Sequence, residues 1–492
     1  RWRPWTRRPT AVHCESSMAW KFSKPSTSRP AELYGSSSAA APSAAPLPAV
    51  QRDFYLEHPE VAALTPEQVQ ALRAELCITI HGDAARCPNP VGSFVQASFP
   101  QYILDALLKV GFSTPTAIQR QGWPVAMKGM ETIGLAETGS GKTLTYLLPA
   151  IVHVNAQPVL TDGDGPLALV LAPTRELAEQ IHEEVVRFGQ PCGVKSVCIY
   201  GGVDKKEQVQ ALRRAPEVVV ATPGRLGDML QRKKTVLDKC TYFVLDEADR
   251  MLDMGFEPQL RAITAHMRTD RQTLMFSATW PAEVQALAQR VHTGGEAIVV
   301  EVGGALLEGG KANEKIVQKV IRCDEGQKLA QLVSLLEELM DGEKILVFCG
   351  SKRRCDALTR DLRVDGWPAL TIHGDKAQEE RDWVLQQFKD GEQPLLIATD
   401  VAQRGLDIKG VAHVINYDCP TTGEAYVHRI GRTGRAGCEG SAYTLVTAED
   451  KRVAPEIVKV LKGSKQVVPP ELAQLAQEAR AEARYRPHSR YQ

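Results

Sequence analysis

Two short segments of the sequence contain the residue types that phosphoryl transfer requires. Residues 136–143, AETGSGKT, combine glycines that expose backbone N–H groups to a phosphate, a lysine that can reach the β- and γ-phosphates, and a hydroxyl for Mg²⁺. Residues 246–249, DEAD, place two acids directly after the apolar run 242–245. Transfer of a phosphoryl group to water needs one acid near the metal and one beside the attacking water. The two segments together predict an enzyme that hydrolyses ATP with Mg²⁺.

The phosphate loop departs at one position from the generic pattern GxxxxGK[ST], because its first residue is Ala136 instead of Gly. The rest of the loop can still curl around the β-phosphate, and residues 144–154 predict a helix whose positive N-terminal end faces the anion. A strand before the loop and a helix after it argue against the alternative, a glycine-rich loop that binds no nucleotide. The residues predicted to hold the phosphates are Ala136, Thr138, Gly139, Ser140, Gly141, Lys142 and Thr143.

The two leading acids of the DEAD segment have different predicted roles. Asp246 is expected to hold Mg²⁺ through water, together with Thr143, and Glu247 is expected to orient and deprotonate the attacking water. An acid pair at the end of a strand can also be a solvated turn. The upstream phosphate loop, and the Ala248-Asp249 that follows the pair, favour the catalytic interpretation.

A basic run, residues 428–435 (HRIGRTGR), lies in the second half of the chain. The γ-phosphate develops negative charge during hydrolysis, and a mobile cation stabilises that charge. Glycines in the run let the chain approach closely, and Arg432 and Arg435 are three residues apart, so both can point the same way. These two residues are candidates for arginine fingers. The alternative is a basic patch that faces RNA.

Length and composition describe a globular protein of several domains. The 492 residues exceed one ordinary hydrophobic core, and at about 150 residues per domain they suggest roughly three. Hydrophobic residues make up 43% and charged residues 24%, and no apolar run approaches the roughly 20 residues of a membrane-spanning helix. The eleven cysteines form no Cys-x-x-Cys pair, which favours reduced thiols in the cytosol or nucleus over a zinc site.

Charge is balanced overall, with 59 basic and 59 acidic residues, but it is uneven along the chain. Residues 1–30 carry seven Lys/Arg against one acid, and residues 451–492 carry nine against four. Such ends can hold phosphate backbones, although a solvated tail is the simpler interpretation of the N-terminus. The first residue is Arg1, which we expect of a processed, partial or mis-predicted product, with Met18 as an alternative start. The Arg- and Ser-rich opening also resembles an organellar transit peptide.

From Phe94 onward, short apolar runs alternate with amphipathic stretches, which predicts an α/β protein with parallel strands joined by crossover helices. The predicted strands are 132–136, 167–172, 218–221, 242–245, 273–276 and 297–302, followed by 316–321, 344–348, 395–398, 411–416 and 442–446. The predicted parts are a disordered, basic, Ser/Ala/Pro-rich extension (1–50), a flanking segment (51–93), a first domain (94–302), a glycine-rich linker (303–313), a second domain (314–465) and a basic tail (466–492). Ligands are expected in the cleft, at the carboxyl ends of the strands.

The segments described above, in this order and spacing, resemble the DEAD-box RNA helicase family over roughly residues 94–465. The resemblance implies two tandem RecA-like parallel-sheet domains joined by a flexible linker, with irregular N- and C-terminal extensions. Residues 246–258 and 276–281, together with Phe54-Tyr55 and His58-Pro59 upstream, are similar to the subgroup of the animal p-sixty-eight and yeast Dbp-two type.

The resemblance implies further contacts at matching motifs. Gln119 would pair with N6 and N7 of adenine, Phe94 would stack on the base, and Gly405 and Asp407 would hold the ribose side of ATP. The residues implied to contact RNA are Pro173, Thr174, Arg175, Gly202, Thr222, Pro223, Gly224, Arg225, Arg381 and Thr399. The residues implied to couple hydrolysis to strand separation are Asp249, Ser277, Thr279 and His428, with Ser277 bonded to Asp249. Gln403 stands where the family more often has a small residue.

The activity that the resemblance implies is RNA-stimulated ATP hydrolysis, coupled to local unwinding of short RNA duplexes and to remodelling of RNA–protein complexes. The implied partners are single-stranded and short duplex RNA, held through the backbone with little sequence specificity, and protein cofactors. We expect a monomer with no membrane partner. Two alternatives are an ATP-gated RNA clamp and a DNA-directed helicase with the same core. We expect a nuclear location, with the cytoplasm and an organelle as alternatives.

Overall fold

The computed structural model describes residues 50–485, except 138, 294, 304–314, 401–409 and 435–438, and for 483–485 it describes the backbone alone. The described chain forms two α/β units in succession, each built on one sheet. None of the helices in these ranges is both long enough and apolar enough to cross a bilayer. Residues 1–49 of the predicted extension, 304–313 of the predicted linker and 486–492 of the predicted tail lie outside the described residues.

The first unit is built on an eight-stranded sheet with the order β1-β8-β2-β7-β6-β3-β5-β4. Its strands are β1 (Ile78–His81), β2 (Thr132–Leu135), β3 (Ala168–Leu171), β4 (Ser196–Ile199), β5 (Val218–Ala221), β6 (Tyr242–Leu245), β7 (Gln272–Ser277) and β8 (Ile298–Val302). Its helices are α1 (Pro59–Ala62), α2 (Pro66–Glu75), α3 (Gln101–Val110), α4 (Ala117–Met127), α5 (Lys142–Asn155), α6 (Arg175–Gly189), α7 (Lys205–Leu212), α8 (Pro223–Gln231), α9 (Ala248–Asp253), α10 (Glu257–Thr264) and α11 (Ala282–Val291). The strand pairs are parallel except for β1 with β8.

The second unit is built on a six-stranded parallel sheet with the order β11-β12-β10-β13-β14-β9. Its strands are β9 (Ile316–Arg322), β10 (Lys344–Phe348), β11 (Ala369–Ile372), β12 (Leu395–Ala398), β13 (Val411–Asn416) and β14 (Gly440–Val446). Its described helices are α12 (Lys328–Leu339), α13 (Lys352–Val364), α14 (Gln378–Lys389), α15 (Gly423–Ile430), α16 (Ala454–Gly463) and α17 (Pro470–Tyr485).

The central strands are continuous apolar runs because helices cover both faces of each sheet. All residues of β3 (ALVL) and β5 (VVVA), for example, are buried. Every strand predicted from an apolar run is present, with ends that differ by no more than two residues. The helix predicted after the phosphate loop is α5. The predicted fold class of two parallel-sheet α/β domains is therefore confirmed.

The strands that the sequence did not predict all lie at sheet edges: β1, β4 and β11. In β4 (SVCI), buried and half-buried residues alternate, because a strand at the edge packs mainly through one face. In β1 (ITIH), only the first residue is fully buried. Strands β1 and β4 lack the apolar run by which central strands are recognised.

The flanking segment 51–93, predicted to precede a first domain that starts at residue 94, packs onto the first unit. Strand β1 pairs antiparallel with β8, and Val61 and Val91 are buried in the core of the unit. The imidazole Nε2 of His81 lies 2.6 Å from Glu301 Oε2, which links the two strands. This pairing covers backbone groups of β8 that would otherwise form an exposed sheet edge.

The chain after residue 465 is also more ordered than predicted. Residues 470–485 form helix α17, whose Leu472, Leu475 and Ala476 are buried in the core of the second unit. This helix lies within residues 466–492, the segment predicted to be a basic tail. Its apolar residues recur at helical spacing within a charged sequence, and the predicted tail rested on the charge alone.

We expect Glu131→Gln to stabilise the first unit at pH 8 but not near pH 4. Glu131 is 4% exposed, and burial raises the pKa of its carboxyl to about 7, although the Thr273 N–H, Arg52 and Arg271 oppose the shift. Because the folded pKa lies above the unfolded value, this group's contribution to stability is lost as pH rises from about 4.5 to about 7. The variant removes that loss of stability, which is on the order of 3 kcal/mol. Urea unfolding across this pH range measures it, with exposed Glu75→Gln as the control. Parallel pH profiles for wild type and Glu131→Gln would contradict the prediction.

Candidate ATP and nucleic-acid site

The predicted catalytic segments meet at one edge of the first sheet. The phosphate loop follows β2, Ser277 ends β7 and the DEAD segment follows β6, and these three strands are neighbours. Because they are parallel, their carboxyl ends lie side by side, where ligands bind in open α/β sheets. Residues far apart in the sequence therefore share one site.

The phosphate loop is held in a tight turn by two glycines with left-handed backbone, Gly139 at φ +83° and Gly141 at φ +93°. A Cβ on Gly141 would lie 2.6 Å from Gln119 Nε2, so a side chain is excluded at that position. The Lys142 ammonium is buried and donates hydrogen bonds to the carbonyl oxygens of Ala136 (2.6 Å) and Glu137 (3.1 Å). A bound phosphate would compete for this ammonium. Thr138 lies outside the described residues.

Asp246 is a buried carboxylate whose negative charge is not fully balanced by the positive charge nearby. The Tyr146 hydroxyl donates to its Oδ2 at 2.8 Å, and the Glu247 N–H donates to its Oδ1 at 2.9 Å. Burial raises its pKa to about 6 despite the nearby charge of Lys142. Thr143 is the second residue of α5, and its side chain forms a hydrogen bond with Tyr146. Carboxylate and hydroxyl oxygens are the ligands that Mg²⁺ prefers, so these residues fit the ion.

Glu247 differs from Asp246 in both backbone and charge. Its φ of +53° is left-handed, a conformation that is strained for a residue with a side chain and is typical of functional sites. Burial raises the pKa of its carboxyl, but the charges of Arg250 and Arg432 outweigh burial and leave the pKa below its ordinary value. Two neighbouring acids whose pKa values are pushed in opposite directions are suited to different roles. Glu247 is thus an ionised carboxylate that can accept a proton.

The second unit contributes two side chains of its basic run to the same site. Arg432 is 5% exposed, donates from Nε to the His428 carbonyl at 3.3 Å, and acts electrostatically on Glu247. The His428 imidazole Nε2 lies 3.5 Å from Asp249 Oδ2. The other predicted arginine finger, Arg435, lies outside the described residues. The two units therefore touch where the acids of the first meet the basic run of the second.

Asp249 is the centre of the predicted coupling group. Its Oδ2 accepts from the N–H of Ala278 (3.2 Å), the N–H of Thr279 (3.0 Å) and the Thr279 hydroxyl (2.9 Å). Ser277 Oγ instead accepts from the Asp249 backbone N–H at 3.4 Å. Burial alone would raise the pKa of Asp249, but His428 and the charges of Arg250 and Lys142 hold that pKa well below its usual range. The predicted bond between Ser277 and Asp249 exists through the main chain, whereas Thr279 holds the carboxylate.

The residues predicted to face RNA lie along the adjacent strand ends. Pro173, Thr174 and Arg175 follow β3, Thr222, Pro223 and Gly224 follow β5, Gly202 follows β4, and Thr399 follows β12 in the second unit. Arg381 on α14 forms an ion pair with Glu176 of the first unit, and Arg175 Nη2 lies 3.8 Å from Asp382. These contacts join the RNA-side elements of the two units.

Comparisons with known proteins match this arrangement. A DEAD/DEAH box helicase domain matches residues 116–287, and a helicase conserved C-terminal domain matches residues 327–437. The chain is 55% identical over 425 residues to DEAD-box ATP-dependent RNA helicase 20 of Arabidopsis thaliana, a match that covers 86% of this chain and 83% of that relative. This chain belongs to the DEAD-box helicase family.

Two further likenesses place this DEAD-box protein more closely. It is 53% identical to the ATP-dependent RNA helicase dbp2 of Neurospora crassa, over 87% of this chain and 76% of that relative, which supports the Dbp2-like subgroup. Its structure resembles that of S. cerevisiae Dbp5 bound to RNA and ADP BeF3, with a TM-score of 0.67 and 28% identity over 80% of this chain and 99% of Dbp5. The two RecA-like domains that the sequence predicts are thus confirmed.

In this DEAD-box protein, Gln119, the residue predicted to pair with adenine, is hydrogen-bonded to the phosphate loop. Gln119 Nε2 donates to the Gly141 carbonyl at 3.1 Å, and Oε1 accepts from the Thr116 N–H at 3.0 Å. An adenine contact would exchange these bonds for those with the base. The Phe94 ring is half-buried, 5.8 Å from the ring of Trp123. Gly405 and Asp407, predicted to hold the ribose, lie outside the described residues.

Arg225, one of the residues predicted to contact RNA, forms hydrogen bonds inside the first unit. Arg225 is 8% exposed, and its guanidinium donates to Gln208 Oε1 at 2.9 Å and to the Val203 carbonyl at 3.0 Å. Two of its donors therefore support the loop that carries Gly202. The sequence could not distinguish these uses because both need a strong donor.

Sequence reasoning also missed two side chains of this DEAD-box site. Tyr146 lies one turn after Lys142 on α5, and this spacing of four residues was the available signal. Tyr200, directly before the loop of Gly202, lies under Arg175, whose guanidinium carbon is 4.4 Å from the ring centroid. The stacked ring restricts the orientation of an arginine predicted to contact RNA.

We expect Thr279→Val to separate hydrolysis from unwinding. The variant keeps the shape of the side chain but removes the hydroxyl that donates to the Asp249 carboxylate. Loss of a hydrogen bond to a charged group should weaken the coupled arrangement of Asp249 and Thr279 by roughly tenfold or more in its equilibrium constant. RNA-stimulated ATPase should fall less than the rate of duplex separation. The double variant Ser277→Ala/Thr279→Ala should show the same order of effects. Equal losses in both assays would contradict the coupling role, and Thr264→Val on α10 is the matched control.

Proposed function

We infer that this chain is an ATP-dependent RNA helicase, in which RNA stimulates ATP hydrolysis and hydrolysis is coupled to local separation of short duplexes. The observation that carries the proposal is the meeting of Glu247 and Asp249 of the first unit with Arg432 and His428 of the second. Hydrolytic machinery divided between two units is complete only when they come together. The names of the relatives supply RNA as the nucleic acid.

Each described side chain has a chemical task in this reaction. Lys142 binds the β- and γ-phosphates once it leaves the Ala136 and Glu137 carbonyls. Glu247, ionised at neutral pH, orients the attacking water and takes its proton. Arg432 places positive charge beside the developing negative charge of the γ-phosphate. Asp246 and Thr143 would hold Mg²⁺, which would supply further positive charge beside the phosphates.

Linkage between the two ligands explains how hydrolysis controls the grip on RNA. The contacts from His428 to Asp249 and from Arg381 to Glu176 form in the same arrangement of the two units. A ligand that stabilises this arrangement at the ATP side therefore also stabilises it at the RNA side, and the reverse holds as well. ATP and RNA should thus strengthen each other's binding. A closed grip on one strand would bend a short duplex and release its partner. Hydrolysis then reopens the cleft.

The RNA-side residues suit the sugar-phosphate backbone more than the base edges. Backbone N–H groups, hydroxyls and single arginines position a strand but carry no sequence information. Little sequence specificity is therefore expected. Preference for RNA over DNA would come from contacts to the 2′-hydroxyl.

Steady-state ATP hydrolysis with no nucleic acid, with single-stranded RNA and with DNA of the same sequence tests the proposal. We expect RNA to stimulate hydrolysis strongly and DNA to have little effect. Stimulation by DNA would favour the DNA-directed alternative. ATP binding without stimulation by either would favour an RNA clamp that awaits a partner protein, although intact Glu247, Ser277 and Thr279 support the enzyme.

We also propose that the protein works as a monomer, aided by protein cofactors, in the nucleus. Both halves of the ATP site belong to one chain, which supports a monomer. The nuclear location rests on the resemblance to the Dbp2-like subgroup, with the cytoplasm and an organelle as alternatives. Sedimentation with RNA and ATP tests the first point, and imaging of the tagged chain tests the second.

A further inference from the structure

Arg250 is a buried cation that packing does not explain. It lies in the first turn of α9, three residues after Glu247, and is 1% exposed. Burial of a guanidinium is costly unless its donors are paired. A guanidinium that stays buried at this position calls for a functional explanation.

The hydrogen bonds of Arg250 leave most of its guanidinium unused. Its backbone N–H bonds the Glu247 carbonyl and Asp249 Oδ1, both at 3.0 Å. In the side chain, Nε lies 3.6 Å from Glu247 Oε2, while Nη1 and Nη2 are buried with no hydrogen-bond partner among the described residues. Glu247 Oε2 has none either. The nearest described partner of this cation is therefore the carboxylate assigned to water activation.

The backbone of Glu247 makes such a partner necessary. Its left-handed conformation is strained, and the α9 helix begins immediately after it. A side chain that must meet a water molecule in one geometry needs a second group to hold its orientation. Arg250 is the cation on α9 within ion-pair distance of it in the described structure.

We propose that Arg250 is a positioning residue that holds the Glu247 carboxylate in its orientation toward the attacking water. The inference rests on the proposed function. Arg250 acts through Glu247 and does not itself bind ATP. The alternative is that Arg250 only fills the space between α9 and the second unit.

Three variants distinguish these roles. Arg250→Met keeps the length of the side chain without its charge, Arg250→Lys keeps a charge, and exposed Arg261→Met on α10 is the matched control. With saturating RNA, we expect Arg250→Met to lower kcat roughly tenfold to a hundredfold, as is typical for supporting partners of catalytic groups. KM for ATP and affinity for RNA should stay within about twofold. Arg250→Lys should recover part of kcat. A space-filling role predicts similar losses for Met and Lys, or a changed KM and melting temperature.

A double-variant cycle supplies the decisive test. If Arg250 acts through Glu247, then Arg250→Met in the Glu247→Gln background slows single-turnover hydrolysis by no more than about twofold further. If the double variant instead loses rate by the product of the two single-variant effects, the proposal is overturned. Wild-type kcat for Arg250→Met, while the wild-type protein is stimulated by RNA, would also overturn it. Absence of RNA stimulation in the wild type would instead refute the proposed function.

Discussion

Glu247→Gln is expected to bind ATP and RNA but to hydrolyse ATP about a hundredfold to ten-thousandfold more slowly, the range typical of a lost general base. Glutamine has nearly the same shape and is also accommodated beside Arg250, but its amide cannot take the proton of the attacking water. Because hydrolysis reopens the cleft, the variant should remain on RNA. Single-turnover hydrolysis and the decay of fluorescence anisotropy of labelled RNA measure the two effects.

The control for this experiment is Glu207→Gln, an exposed glutamate on α7. It should behave as the wild type in both assays. Rapid RNA release by Glu247→Gln in the presence of ATP would show that Glu247 does not control the closed state. Hydrolysis at the wild-type rate would show that another group activates the water.

Lys142→Ala is expected to lose ATP binding and every activity that depends on it. The ammonium is buried at the N-terminal end of α5, and burial lowers its pKa while Asp246 and Glu247 oppose the shift. A donor already removed from water interacts strongly with a phosphate, so its loss should weaken ATP binding by about a hundredfold or more. Titration with a fluorescent ATP analogue measures affinity, and a strand-separation assay measures the consequence.

Exposed Lys128→Ala, at the end of α4, is the matched control for Lys142→Ala. Since Lys142 also bonds two carbonyl groups of the loop, thermal unfolding should be recorded for the variant. Wild-type affinity for the analogue would contradict the assigned role. Lost affinity together with a large fall in melting temperature would require Lys142→Gln, which keeps a donor to the loop without the charge.

The sequence by itself determined the central strands, the phosphate loop, the DEAD segment and the family. The reason is that these features are local. A strand covered on both faces must be apolar along its length, as β5 is, and a loop that wraps a phosphate must place its glycines and lysine at fixed intervals. The edge strands β1 and β4 and the amphipathic helix α17 lack such a continuous signal.

Only the tertiary structure decided how neighbouring residues of the same type differ in function. Asp246 and Glu247 are adjacent acids, yet burial raises the pKa of one to about 6, while Arg250 and Arg432 lower the pKa of the other. Arg225 is bonded inside the first unit, whereas Arg381 reaches Glu176 of the other unit. Burial and charge at each site are sums over groups brought together from both units by folding, and no local sequence pattern contains those sums.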